Sequence, residues 1–194
     1  MGEVLEISCV IKNKDCIINL YEYMKHIPDN ENLSEKIEIM DNWQYENIVE
    51  LDLFDIGVIK EYAENKIILI REEISDGSKG LDIEAISKHC YHVEIWYNQR
   101  NEYYDEIKKN LLELICKNRI EDICLIAVGN ETLFKFDEDF LEMDKKSHDI
   151  DAWIISENFF RCKNITTYHE YDIQKRKIDK SVIYILSLRK RNSI

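Results

Sequence analysis

A chain of 194 residues, 45% of them hydrophobic, is long enough to bury a full core without disulfide or metal staples. Its 39 acidic and 26 basic residues leave a formal charge of −13, which disfavours polyanions and anionic membrane surfaces as partners of the whole body. One proline and five glycines argue against long flexible linkers, and the strongly periodic segments described below argue against disorder.

The opening Met1-Gly2-Glu3-Val4-Leu5-Glu6 has neither a basic start nor a sustained apolar stretch, so no signal peptide is expected. Glu6 stands where a myristoylation motif wants Ser or Thr. No apolar run approaches the roughly 18–20 residues that cross a bilayer. A cytoplasmic location without a membrane partner follows as the expectation. In that compartment Cys9, Cys16, Cys90, Cys116, Cys124 and Cys162 are expected as reduced thiols, mostly buried as small apolar side chains.

Along the chain, Leu5, Ile7, Cys9 and Ile11 alternate and predict a strand over Val4–Ile11. Ile17, Leu20, Tyr21 and Met24 at helical spacing predict a helix from Cys16 to His26, closed by Pro28. Two strands are predicted over Lys36–Met40 and Asn47–Leu53, turning through Asp41-Asn42-Trp43-Gln44-Tyr45. Asp55 then caps a short helix carrying Ile56, Ile59 and Tyr62. Lys66–Ile74 predicts a strand whose unbroken Ile67-Ile68-Leu69-Ile70 is buried on both faces.

Ser75-Asp76-Gly77-Ser78-Lys79-Gly80 reads as a loop and a candidate boundary. Beyond it come a strand over Tyr91–Tyr97, a helix over Glu102–Asn118 and a buried strand over Ile123–Val128 turned by Gly129-Asn130. Thr132–Phe136, Asp137–Met143 and Ala152–Ser156 read as strand, helix and strand. A long hairpin pairs Ile165–Gln174 with Ser181–Leu188. The fold class expected is α+β, a mixed or antiparallel sheet with helices on one side. Its β-α-β-β-α-β order matches the ferredoxin-like arrangement, repeated, with a C-terminal β-hairpin added. The whole, 1–194, is taken as one domain with internal halves 1–75 and 81–160 and the hairpin at 163–191.

Chemical motifs are sparse. His89 and His92 flank Cys90-Tyr91, but a zinc site needs about four ligands and no second close pair stands nearby. The Gly77–Gly80 segment lacks the spacing of a phosphate loop. Asp137, Glu138, Asp139, Glu142, Asp144, Asp149 and Asp151 crowd one stretch without the glycine of a calcium loop. No nucleophile elbow or cysteine signature is present. His169 shares an alternating register with Ile165, Thr167, Tyr171 and Ile173, as a sheet histidine does. No metal, cofactor or catalytic residue is expected.

Charge is distributed unevenly. From Lys163 to Ile194 there are eight basic residues (Lys163, Lys175, Arg176, Lys177, Lys180, Arg189, Lys190, Arg191) and three acidic ones (Glu170, Asp172, Asp179), a balance of +5. The rest of the chain carries −18. An acidic body steers basic partners over long range. Trp43 and Tyr45, set in a turn, are the aromatic types that anchor interfaces, the other reading being that Trp43 folds back to plug the edge of the core. The expectation is a protein that covers a basic protein, as an immunity protein or antitoxin covers a toxin. Its contact residues would be Trp43, Tyr45 and the acidic stretch Asp137–Asp151. The alternatives are an enzyme whose site is assembled only in the fold, and nucleic-acid binding through Lys175, Arg176, Lys177, Arg189, Lys190 and Arg191, which the acidic body makes the weaker reading.

Overall fold

The computed structural model describes residues 4–25, 32–51, 56–74, 77–87, 90–99, 109, 123–130, 150–162, 171–178 and 181–188. Ten strands join in a single sheet: β1 (Val4–Ile11), β2 (Asn32–Met40), β3 (Val49–Leu51), β4 (Ile67–Ile74), β5 (Gly77–Ser87), β6 (Cys90–Gln99), β7 (Ile123–Asn130), β8 (Ile150–Ser156), β9 (Tyr171–Ile178) and β10 (Ser181–Leu188). Their order across the sheet is β3-β2-β4-β5-β6-β1-β7-β8-β10-β9. Every pairing is antiparallel.

The described helices are α1 (Lys14–Lys25), α2 (Ile56–Tyr62) and α3 (Glu157–Cys162). Asn13 caps α1, its side-chain oxygen accepting from the Asp15 amide at 2.9 Å. Cys16, Ile17, Leu20, Tyr21 and Met24 form the buried stripe of α1. With Val58 and Ile59 of α2 they cover the odd-numbered side chains of β1 (Leu5, Ile7, Cys9, Ile11) and of β6 (Tyr91, Val93, Ile95, Tyr97). This is the larger core. A second cluster on the opposite face joins Val10, Leu125, Ala127, Trp153, Ile155 and Leu186 to Phe160 of α3. Tyr184 stacks on Phe160 with ring centroids 3.8 Å apart.

These observations correct the expected fold class. The sheet dominates, and helices lie on both of its faces, α1 and α2 on one and α3 on the other. The first segment does run β1-α1-β2-β3-α2-β4 in sequence. A ferredoxin-like unit, however, pairs β1 with strands of its own βαββαβ unit. Here β1 pairs with β6 and β7, while β4 pairs with β2 and β5. The first strand of the chain therefore sits at the middle of one wide antiparallel sheet.

The glycine-containing boundary loop is a second correction. Gly77 to Gly80 begin β5 and pair with both β4 and β6. Packing decides this. Lys79 is buried, its ammonium 3.1 Å from Glu72, with side chains 3% and 1% exposed. That ammonium also donates to the carbonyls of Met24 (2.8 Å) and Lys25 (3.2 Å), so a cation closes the C-terminal end of α1. Opposite Gly80 lies Trp96, whose ring would be 2.3 Å from any Cβ placed there. A strand without a side chain at position 80 is what lets the indole lie flat on the sheet.

Other elements differ in detail. Gly129 and Asn130 belong to β7 and do not turn it. The C-terminal hairpin pairs Tyr171–Ile178 with Ser181–Leu188, so its first strand runs past the expected end at Gln174, while residues 165–170 of that expected strand lie outside the described residues. Lys109, the one described residue of the expected Glu102–Asn118 helix, is helical. The expected elements over 132–143 lie outside the described residues. Ile67, Ile68, Leu69 and Ile70 of β4 are all buried. Cys9, Cys16, Cys90 and Cys124 are free thiols, and burial pushes Cys9 up to about 12. Among the described residues no helix is long and apolar enough to cross a membrane.

Candidate functional site

The connection between β2 and β3 is the most exposed apolar part of the described chain. Trp43 is 43% exposed, Tyr45 50%, Ile48 43% and Val49 51%, all within seven residues. Asp41, Glu46 and Glu50 are exposed among them. Short polar side chains hold the turn from within. Asn42 donates to Glu46 at 2.7 Å and accepts from the Gln44 amide at 3.0 Å. Asp41 accepts from Asn47 and forms an ion pair with Lys66, and both contacts hold its carboxyl below the usual range. The Asp41 amide donates to the Glu46 carbonyl at 3.0 Å, closing the loop at its base.

Tyr45 and Asn47 both adopt left-handed backbone, at φ 62° and 52°. Asparagine tolerates this region, whereas a tyrosine there is strained. Strain of that kind persists only where the surroundings over-determine it, and it gathers at functional sites. The turn is thus pre-ordered, with four large apolar side chains left at its surface. The Trp43 indole N–H donates to Glu84 of β5 at 3.1 Å.

Glu84 belongs to a second group of residues, on the sheet face opposite α1. Strand register sets Asp82 of β5 opposite Glu94 of β6, and Glu84 opposite His92. Glu6 of β1 lies opposite Trp96, and Ser8 opposite Glu94. The Trp96 indole donates to Asp82 at 3.3 Å. Placing like charges on cross-strand neighbours is unfavourable, and these carboxyls respond by holding protons. Burial, with Glu6 adding, pushes Asp82 up to about 6 against the pull of Trp96 and Arg71. Burial, then Glu6 and Asp82, push Glu94 up to about 8. Burial lowers His92, opposed by Glu84. Both carboxyls are held above their ordinary range, Glu94 further than Asp82, so Glu94 is the one that keeps its proton more readily. Such a couple is able both to donate and to accept a proton.

The sequence-predicted site residues divide. Trp43 and Tyr45 lie together in the exposed turn. Asp137, Glu138, Asp139, Glu142, Asp144 and Asp149 fall outside the described residues, and Asp151 lies in β8. Sequence reasoning missed Glu6, Asp82, Glu84, His92, Glu94 and Trp96. Their signal is present in the alternation of β6, where His92, Glu94 and Trp96 fall between Tyr91, Val93, Ile95 and Tyr97. The strand that completes the group, β5, was hidden behind its glycines. Among the described residues no three His, Cys, Asp or Glu side chains come together to hold a metal ion. No family model matches this chain, and no curated protein or solved structure does.

Proposed function

We propose that this protein binds a basic protein partner and covers its surface, in the manner of an immunity protein or antitoxin, with the turn between β2 and β3 as the anchor. The observation that carries the reading is the pre-ordered turn itself. Trp43, Tyr45, Ile48 and Val49 are held exposed on a strained, internally bonded backbone and interspersed with Asp41, Glu46 and Glu50. An aromatic anchor ordered before binding costs little conformational entropy when the partner arrives. The surrounding carboxylates, on a body of net charge −13, favour a basic partner and speed the encounter. The test is affinity capture from cells that express the chain, with the full-length protein immobilised. A basic protein retained by the wild type and lost by the Trp43→Ala/Tyr45→Ala double variant supports the reading. Capture that is indifferent to both substitutions removes the turn from it.

A second reading rests on Asp82 and Glu94. Two carboxyls on neighbouring strands, one near 6 and the other near 8, have the form of a general acid–base couple. A panel of chromogenic ester, phosphate and glycoside substrates across the neutral range tests it. Turnover abolished by both Asp82→Asn and Glu94→Gln supports the couple, and turnover indifferent to them eliminates it.

A further inference from the structure

The two edges of the sheet are unlike. At one, β3 is three residues long and continues the acidic turn. At the other, β9 runs for eight residues, and Asp172 to Lys177 are exposed without interruption. Neighbouring residues of a strand point to opposite faces. Six exposed in succession therefore mean that neither face of β9 is covered. Among the described residues β9 pairs with β10 alone, so no described strand takes up the backbone N–H and C=O groups on its outer side from Ile173 to Lys177. Lys175 and Lys177 project from one face of that strand and Arg176 from the other. Lys175 is steadied 3.5 Å from Glu157 and 5.6 Å from the centre of the Tyr184 ring.

We propose that β9 is a docking edge for an extended acidic segment of a partner protein, which adds to the sheet alongside β9 and sets its carboxylates against Lys175, Arg176 and Lys177. This surface lies at the far edge of the sheet from the β2–β3 turn and does not depend on the role proposed for that turn.

Charge selects the occupant. Lysines on an edge keep apolar strands away, and the same lysines favour a strand whose cross-strand partners are acidic. A second copy of this chain is a poor occupant. Full-length antiparallel pairing of β9 with β9 sets Lys177 opposite Asp172 but leaves Arg176 against Ile173 and Lys175 against Gln174, so two of the three cations meet no carboxylate, and the opposite edge offers only the three residues of β3. Nucleic acid fits less well too. Its affinity grows with the number of phosphates neutralised, while residues outside 163–194 carry −18. The one aromatic side chain of β9, Tyr171, is buried and offers no base a stacking surface. A peptide strand uses both what β9 exposes along its edge and what it exposes on its faces.

Fluorescence anisotropy with the full chain tests the proposal. The probes are a labelled peptide of alternating Glu and Val of β9's own length, the same peptide N-methylated throughout, and an oligothymidylate of similar length. The first should bind in low salt. N-methylation, which keeps the charge and removes the donors, should weaken binding roughly tenfold or more, and so should Arg176→Glu/Lys177→Glu. Amide hydrogen exchange of the wild-type protein should show added protection within 172–178 when the first peptide is present, a readout independent of how the variant folds. Absence of binding by the first peptide, equal binding of the N-methylated peptide, preference for the oligothymidylate, or unchanged exchange in β9 would each overturn it.

Discussion

Gly80 and Trp96 show how one residue sets the chemistry of its neighbours. Without a Cβ at position 80, the Trp96 indole reaches Asp82 across the sheet surface. Gly80→Ala should push the ring away and destabilise the protein by about 1–3 kcal/mol, as overpacking does. Urea denaturation together with a change in tryptophan fluorescence would report both effects. Glu94 makes a separate prediction. Its folded pKa, about 8, is raised above the ordinary 4.5, so the folded state retains the proton that the unfolded state loses. The stability this contributes is complete below pH 4.5 and is lost as pH rises through about 8. Asp82 adds a similar loss between 3.8 and about 6. Glu94→Gln, which cannot ionise, should be more stable than wild type at high pH by about 1–3 kcal/mol, with little difference in acid. A melting series across that range that runs parallel for both proteins would show that Glu94 titrates normally.

At the level of elements, the buried Lys79–Glu72 pair joins β4, β5 and the end of α1. Lys79→Met leaves Glu72 buried without its cation and should cost about 3–5 kcal/mol. Adding Glu72→Leu should restore most of that loss, because an apolar pair of similar size needs no ionic compensation. Chemical denaturation of the two single variants and the double closes the cycle. An additive double variant would mean that the two side chains are not coupled. Truncation of Leu125 or Ile126 in β7 to alanine should cost about 2–5 kcal/mol, since both are fully buried on opposite faces of a central strand. These strands were legible because their apolar alternation or unbroken apolar runs are local, as in Val4–Ile11, Ile67–Ile74 and Tyr91–Tyr97. β5 was not. Gly77-Ser78-Lys79-Gly80 carries the composition of a loop, and its strand character comes from a tryptophan, a glutamate and a helix end brought to it by the fold.

At the scale of the whole molecule, the sheet order could not be read from the chain. β1 is completed by β6 and β7, each more than 75 residues away in sequence, and no local pattern specifies such a partner. The acidic and aromatic character of the β2–β3 turn was legible from composition, whereas its rigidity follows from the left-handed backbone at Tyr45 and the bonds of Asn42 and Asp41. The opposed carboxyls Asp82 and Glu94 became visible only once β5 was placed beside β6. The most direct measurement of the central claim is site-specific photocrosslinking in the cells that express this chain. A photoreactive phenylalanine analogue replaces Tyr45 in one version of the protein and Ile86, an exposed residue on β5, in another. The account predicts one basic protein crosslinked through position 45, at a yield reduced by salt and abolished by Trp43→Ala, with a weaker or absent adduct from position 86. An absence of adduct at 45, or the same products at both positions whether or not Trp43 is present, would contradict it.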